Sequence, residues 1–180
     1  MEPPVYLGFL NGYSPAWAER VVRGVARSLS RPAEPVSLTM DLPRFYSAER
    51  GQYNATLMLA GLLRLNVEPD TKIVGITRVD LFIPVLTYVF GEAELDGRAA
   101  VVSAFRLDNE LYGMPPDPDL LFERLVKESL HELGHTFGLM HCHRTDCVMS
   151  SSTYVEHIDL KNDRFCDRCL RALRKRGMRG

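Results

Sequence analysis

The chain has 180 residues, enough for one domain with a substantial hydrophobic core. Its composition, 46% hydrophobic and 25% charged, is that of an ordinary soluble globular protein. A formal net charge of −1 argues for neither nucleic acid nor an anionic membrane as a partner, and no apolar run reaches the ~18 to 20 residues that cross a bilayer.

The N-terminal Met1-Glu2-Pro3-Pro4 lacks the basic and then apolar pattern of a secretory signal, so a cytoplasmic location is expected. Val5 to Leu10 reads as a first buried strand. Ser14-Pro15 offers a capping hydroxyl and a proline at the first helical position, and Trp17, Val21, Val25 and Leu29 recur at helical spacing before Pro32. Val36 to Met40 is a short strand, Pro43 to Tyr53 an aromatic loop, and Ala55 to Leu65 a second helix. Lys72 to Thr77, preceded by Pro69-Asp70, is a third strand. Tyr88 to Ala93 and Ala99 to Ala104 are strands on either side of a turn at Leu95-Asp96-Gly97. Pro115-Pro116-Asp117-Pro118 breaks the chain before a third helix, from about Leu120.

Alternating strands and helices predict an α/β layer with a partly parallel sheet. A single domain over 1–180 is expected. Its upper part, 1–138, carries the third helix, and a small lobe, 139–180, is pinned by metal rather than by a core.

All four cysteines, Cys142, Cys147, Cys166 and Cys169, fall in that last segment. A disulfide framework would be spread through a small secreted domain. A cluster ending in Cys-x-x-Cys, with no export signal, points instead to a metal site. The alternative is a thioredoxin-like redox pair, a motif that belongs near the start of a helix after an early strand rather than near the C-terminus.

Residues 131 to 141 read His-Glu-Leu-Gly-His-Thr-Phe-Gly-Leu-Met-His. Positions four apart on a helix lie on one face, so His131 and His135 can reach one metal ion from adjacent turns. Glu132 projects beside them, placed to take a proton from water without ligating. Imidazole suits zinc, whose catalytic sites use three protein ligands and an open position. Gly138 can take the positive φ that ends a helix sharply, leaving His141 free to double back as the third ligand. On the opposite face Phe122, Val126, Leu130, Leu133 and Phe137 form an apolar stripe that seats the helix on the sheet.

This extended pattern resembles the metzincin signature, in which a methionine turn follows; Met149, eight residues after His141, is the candidate. With Cys142, Cys147, Met149 and Cys166-x-x-Cys169 included, the chain resembles the archaemetzincins. Val79-Asp80-Leu81-Phe82-Ile83-Pro84, Val89-Phe90-Gly91-Glu92-Ala93 and Arg50-Gly51-Gln52-Tyr53 extend the resemblance over about residues 45 to 170. The spacing departs at one point, with 16 residues between Met149 and Cys166, one fewer than in the family.

The resemblance implies a metzincin-like α/β (α+β) catalytic domain with a twisted, mostly parallel sheet, a backing helix, an active-site helix and a small C-terminal lobe. It implies two zinc ions, a catalytic one on His131, His135 and His141 and a structural one on Cys142, Cys147, Cys166 and Cys169. It also implies Glu132 as general base and Met149 in the methionine turn. The function it implies is zinc-dependent peptide-bond hydrolysis acting on peptide or protein substrates, with aminopeptidase activity as the family association; a monomer is expected. Leu95 or its strand neighbours could pair with an extended substrate, by analogy of fold.

His143, His157 and Tyr154 read as ordinary surface or structural residues, although Tyr154 could swing toward the metal as tyrosines do in some metzincins. Lys161 to Gly180 contains eight Lys or Arg against two Asp. A zinc-binding interaction protein with little turnover, holding nucleic acid or an acidic partner through this tail, is the alternative function. Against it, Arg164, Arg168, Arg171, Lys175 and Arg179 fall at the spacing of a solvated helical face.

Overall fold

The computed structural model describes residues 4–13, 15–65 and 71–176. The chain enters through β1 (Val5–Leu10), crosses by α1 (Ala18–Leu29) and returns as β2 (Ala33–Leu38). A two-stranded hairpin, β3 (Tyr46–Ser47) and β4 (Gln52–Asn54), leads into α2 (Ala55–Leu63), β5 (Lys72–Thr77) and the short β6 (Leu81–Phe82). Then come β7 (Gly91–Ala93), β8 (Ala99–Ser103), the long α3 (Pro118–Thr136), α4 (Val155–Leu160) and α5 (Asp167–Lys175). The main sheet has the order β2-β1-β5-β8-β7, parallel throughout except for β7, which lies antiparallel at one edge. β3, β4 and β6 form a second, small sheet.

The three inner strands are apolar on both faces because helices cover both. Side chains of successive residues alternate between two clusters. Val74, Ile76, Ala100 and Val102 pack with α1 and α3, whereas Ile73, Ala99 and Val101 pack with α2. α1 and α3 touch closely enough that a Cβ on Gly24 would lie 2.8 Å from Val126 Cγ2.

The local expectations need five adjustments. α1 begins at Ala18 rather than Pro15, because a turn closed by Ala18 N–H on Pro15 O precedes it; Ser14 lies outside the described residues, as do Pro69-Asp70 and Arg179. The second strand is 33–38, not 36–40, since its limits come from parallel pairing with β1, from Val5↔Ala33 to Leu10↔Leu38. Pro35 is tolerated there because β2 is an edge. The stretch 43–53 is not plain loop, for it carries a 3-10 turn and the β3–β4 hairpin. The strand expected over 88–93 contracts to Gly91–Ala93.

The last adjustment concerns residues 139–176. Leu139, Val148, Met149, Val155, Ile158, Phe165 and Leu173 belong to the same buried cluster as α1 and α3, so this segment shares the main core and is not held by metal donors alone. α3 is consequently covered on nearly every side between Arg124 and Thr136. It begins where expected, Asp117 accepting from Leu120 N–H and Pro118 opening the first turn. Leu130 sits at its centre with no exposed surface. Leu130→Ala is expected to cost about 2–5 kcal/mol in urea denaturation, the range for a large-to-small change in a closed core.

Candidate active site and cysteine cluster

His131 and His135 stand one turn apart on α3 with their Nε2 atoms 3.2 Å from each other. His131 Nδ1 lies 2.8 Å from Val148 O, and His135 Nδ1 lies 2.7 Å from Leu139 O. A carbonyl only accepts, so both Nδ1 atoms carry hydrogen and donate, which leaves both Nε2 atoms as bare lone pairs. Two lone pairs facing each other at that distance repel unless a cation lies between them. Zn–N bonds of about 2.0–2.1 Å in tetrahedral geometry would separate the nitrogens by roughly 3.3 Å, so the spacing fits zinc.

The third histidine arrives by the route its glycine allows. Gly138 has φ +80°, its N–H bonds His135 O at 2.8 Å, and Leu139 N–H bonds Gly134 O at 2.9 Å. The chain thus turns back under the helix. The His141 ring centroid comes to 5.2 Å from His131 and 5.0 Å from His135, and the donor atoms of all three lie within 4.8 Å of one another. Burial holds the His131 imidazole well below its ordinary range and lowers those of His135 and His141 as well. Each shift favours the neutral imidazole, the form that ligates.

Glu132 is buried beside this group, and burial, reinforced by Glu128, pushes its carboxyl well above the usual carboxylate range. Its carboxylate rests against β7, where a Cβ on Gly91 would come within 2.9 Å of Glu132 Oε1 and 2.7 Å of Val101 O. Gly91 is thus a close-approach glycine. Gly134 is a second one: a Cβ there would overlap Met149 Sδ and lie 3.1 Å from Phe165. Met149 is wholly buried under the histidines' turn of α3, and its carbonyl accepts from Cys142 N–H at 2.8 Å.

The four cysteines converge as a second group, with donor atoms within 4.8 Å of one another and free thiols throughout. Cys142 Sγ to Cys166 Sγ and Cys147 Sγ to Cys169 Sγ are both 3.8 Å. Tetrahedral zinc with Zn–S bonds of about 2.3 Å requires roughly that separation. Cys166 N–H also points to Cys147 Sγ at 3.3 Å, a hydrogen bond that suits a thiolate. The donor chemistry of both groups therefore fits zinc, and the redox alternative loses its motivation.

Comparison with known proteins decides the family. Residues 34–175 match the model of Peptidase family M54. The archaemetzincin of Methanocaldococcus jannaschii is 44% identical over 140 residues, covering 77% of this chain and 76% of that protein. The chain belongs to peptidase family M54, the archaemetzincins. The crystal structure of the Methanopyrus kandleri archaemetzincin superposes with a TM-score of 0.85 at 38% identity, over 98% of this chain and 96% of that one. A zinc-dependent peptidase from Methanocorpusculum labreanum gives 0.86 at 28% identity, over 94% and 99%. This archaemetzincin is accordingly a zinc metallopeptidase, with one three-histidine and one four-cysteine donor set for two zinc ions.

Other sequence candidates lie outside the donor groups. His143 is exposed, and His157 Nδ1 accepts from Thr153 N–H. Tyr154 is 59% exposed, with its ring 5.6 Å from His157. α5 buries Cys169 and Leu173 and exposes Arg168, Arg171, Arg174 and Lys175, the solvated face its spacing implied. Lys161, however, was wrongly grouped with that basic tail: its side chain has no exposed surface and pairs with Glu128. Sequence reasoning missed Glu128, Lys161, Gly91 and Gly134. The one available signal was Glu128 standing one helical turn before Glu132.

A Gly→Ala change in a helix ordinarily gains about 1 kcal/mol. Gly134→Ala should instead lose about 1–3 kcal/mol in urea denaturation, because the methyl overpacks Met149 and Phe165. Glu132→Gln should melt at a higher temperature than the wild type when both are metal-free at neutral pH, since burial raises the carboxyl's proton affinity above that in the unfolded chain and so costs stability above the unfolded pKa.

Proposed function

We propose that the three histidines His131, His135 and His141 hold the catalytic zinc and that Glu132 is the general base of peptide-bond hydrolysis. The four cysteines hold the structural zinc, with Met149 and Gly138 as supports of the fold around the site. The observation that carries this reading is the pair of bare Nε2 atoms 3.2 Å apart beside a buried carboxylate. When bound, zinc supplies the Lewis acidity that polarises the scissile carbonyl and acidifies the attacking water.

The chain's own residues do the rest. Val148 O and Leu139 O fix the tautomer and orientation of two ligands. The raised proton affinity of Glu132 lets its carboxylate take a proton from water and pass it to the leaving amine. β7 supports binding of an extended peptide, being the free edge of the sheet beside Glu132. Inward bonds at Phe90 O and Glu94 N leave the backbone of Gly91 and Ala93 facing outward, ready for strand addition. Leu95, the first candidate for that role, belongs to the turn beyond the strand.

Peptide or protein substrates follow from the family. Among the described residues no helix is long and apolar enough to cross a membrane. A reducing, cytoplasmic setting suits four thiols kept as zinc ligands, and one continuous core from 5 to 173 supports a single domain over 1–180.

The test is cleavage of a peptide mixture with free and blocked N-termini by the zinc-loaded protein and by Glu132→Ala. The wild type should cleave, and the variant should lose at least about 100-fold in rate while keeping two zinc ions per chain by elemental analysis. Selective cleavage of free N-termini identifies an aminopeptidase, and indifference an endopeptidase. Equal rates for variant and wild type would remove Glu132 from the mechanism.

A further inference from the structure

Lys161 is the largest wholly buried side chain that the hydrolytic mechanism leaves unused. Two backbone carbonyls accept hydrogen bonds from its ammonium, and one carboxylate stands beside it as counter-charge. Nζ stands 3.0 Å from Glu128 Oε1, 3.0 Å from Ser150 O and 3.4 Å from Val148 O. The contact to Glu128 is Coulombic, without the alignment of a hydrogen bond. Ser150 and Val148 flank Met149. Val148 O is also the carbonyl that takes the His131 Nδ1 hydrogen at 2.8 Å. A continuous path therefore runs from Glu128 through Lys161 and Val148 O to the ring of His131.

We infer that Lys161 and Glu128 form a buried positioning pair, which clamps the carbonyls around Met149 to α3 and so sets the orientation and tautomer of His131. The inference rests on the proposed role of the histidines as metal ligands. Each member has a separate task. Lys161 supplies the donors that hold the Met149 turn against the helix. Glu128 cancels its charge, because a lone ammonium here would act on all three histidines and oppose a dication bound to them.

A buried ion pair is weak evidence of stabilisation by itself, since apolar replacements of both members are often neutral or better. That property separates positioning from bulk stability. Lys161→Met and Glu128→Gln each leave one uncompensated group and should lower the melting temperature. The double variant Glu128→Leu/Lys161→Met removes the charge imbalance and should recover most of that loss.

Zinc affinity at each site is measured by chelator competition on the zinc-loaded protein, with the four-cysteine zinc as an internal control. The histidine-site zinc should bind about 10- to 100-fold more weakly in the double variant, the cost usual for losing an outer-shell partner, with the cysteine-site zinc unchanged. The His131 Nδ1–H resonance should shift or broaden in the same protein. The proposal is overturned if the double variant holds the histidine-site zinc as tightly as the wild type, or if both zinc ions weaken in parallel. His135→Ala is run alongside: retention of both zinc ions there would overturn the ligand assignment itself, and with it this inference.

Discussion

α3 is a helix buried on nearly every side that nevertheless carries Arg124, Glu128, His131, Glu132 and His135 between its second turn and its end. Buried polar and charged groups are tolerated only when partnered. Leu107 O and Asn109 Oδ1, before the helix, accept from Arg124, and the other partners come from the segment that follows. Asp159 meets Arg124 through two bonds of 2.7 Å, Lys161 meets Glu128, Val148 O meets His131 and Leu139 O meets His135. Residues 139 to 161 thus meet the donors and acceptors of the helix at four points while packing into the core it lies in.

The same path builds the second metal group. His141 and Cys142 are adjacent, so the residue that completes the histidine set is followed at once by the first cysteine. Cys142 N–H bonds Met149 O, and Cys147 lies within the same loop. α5 then returns Cys166 and Cys169 to the cluster and buries Leu173 in the main core. The four cysteines close a loop around Met149, whose neighbour Val148 carries the carbonyl that meets His131 Nδ1.

Strain in the electrostatics is concentrated where chemistry needs it. Three histidines face one another and a carboxyl group is buried beside them, an arrangement that is costly without a dication and favourable with one. Gly91 and Gly134 make it possible by removing Cβ atoms where β7 approaches Glu132 and where Met149 approaches α3. Local sequence rules mark both glycines only as poor strand and helix residues. Their meaning is a distance of approach between elements far apart in sequence.

The two groups of side chains that converge and the alternation of strands and helices were legible from the sequence alone, because residue spacing on a helix and the periodicity of buried faces are local properties. His131, Glu132, His135, Gly138 and His141 needed only 3.6-residue geometry and one positive φ, and the cysteines needed only their clustering. What the tertiary structure decided was everything set by a distant partner. The limits of β2 follow from β1, and the free backbone edge of β7 follows from its register with β8. The bare Nε2 atoms follow from carbonyls at 139 and 148. Lys161, an unremarkable basic residue beside a basic tail in the sequence, becomes a buried cation only because Glu128, 33 positions earlier, lies across from it. Side-chain burial and charge pairing are long-range in the chain, and no local pattern encodes them.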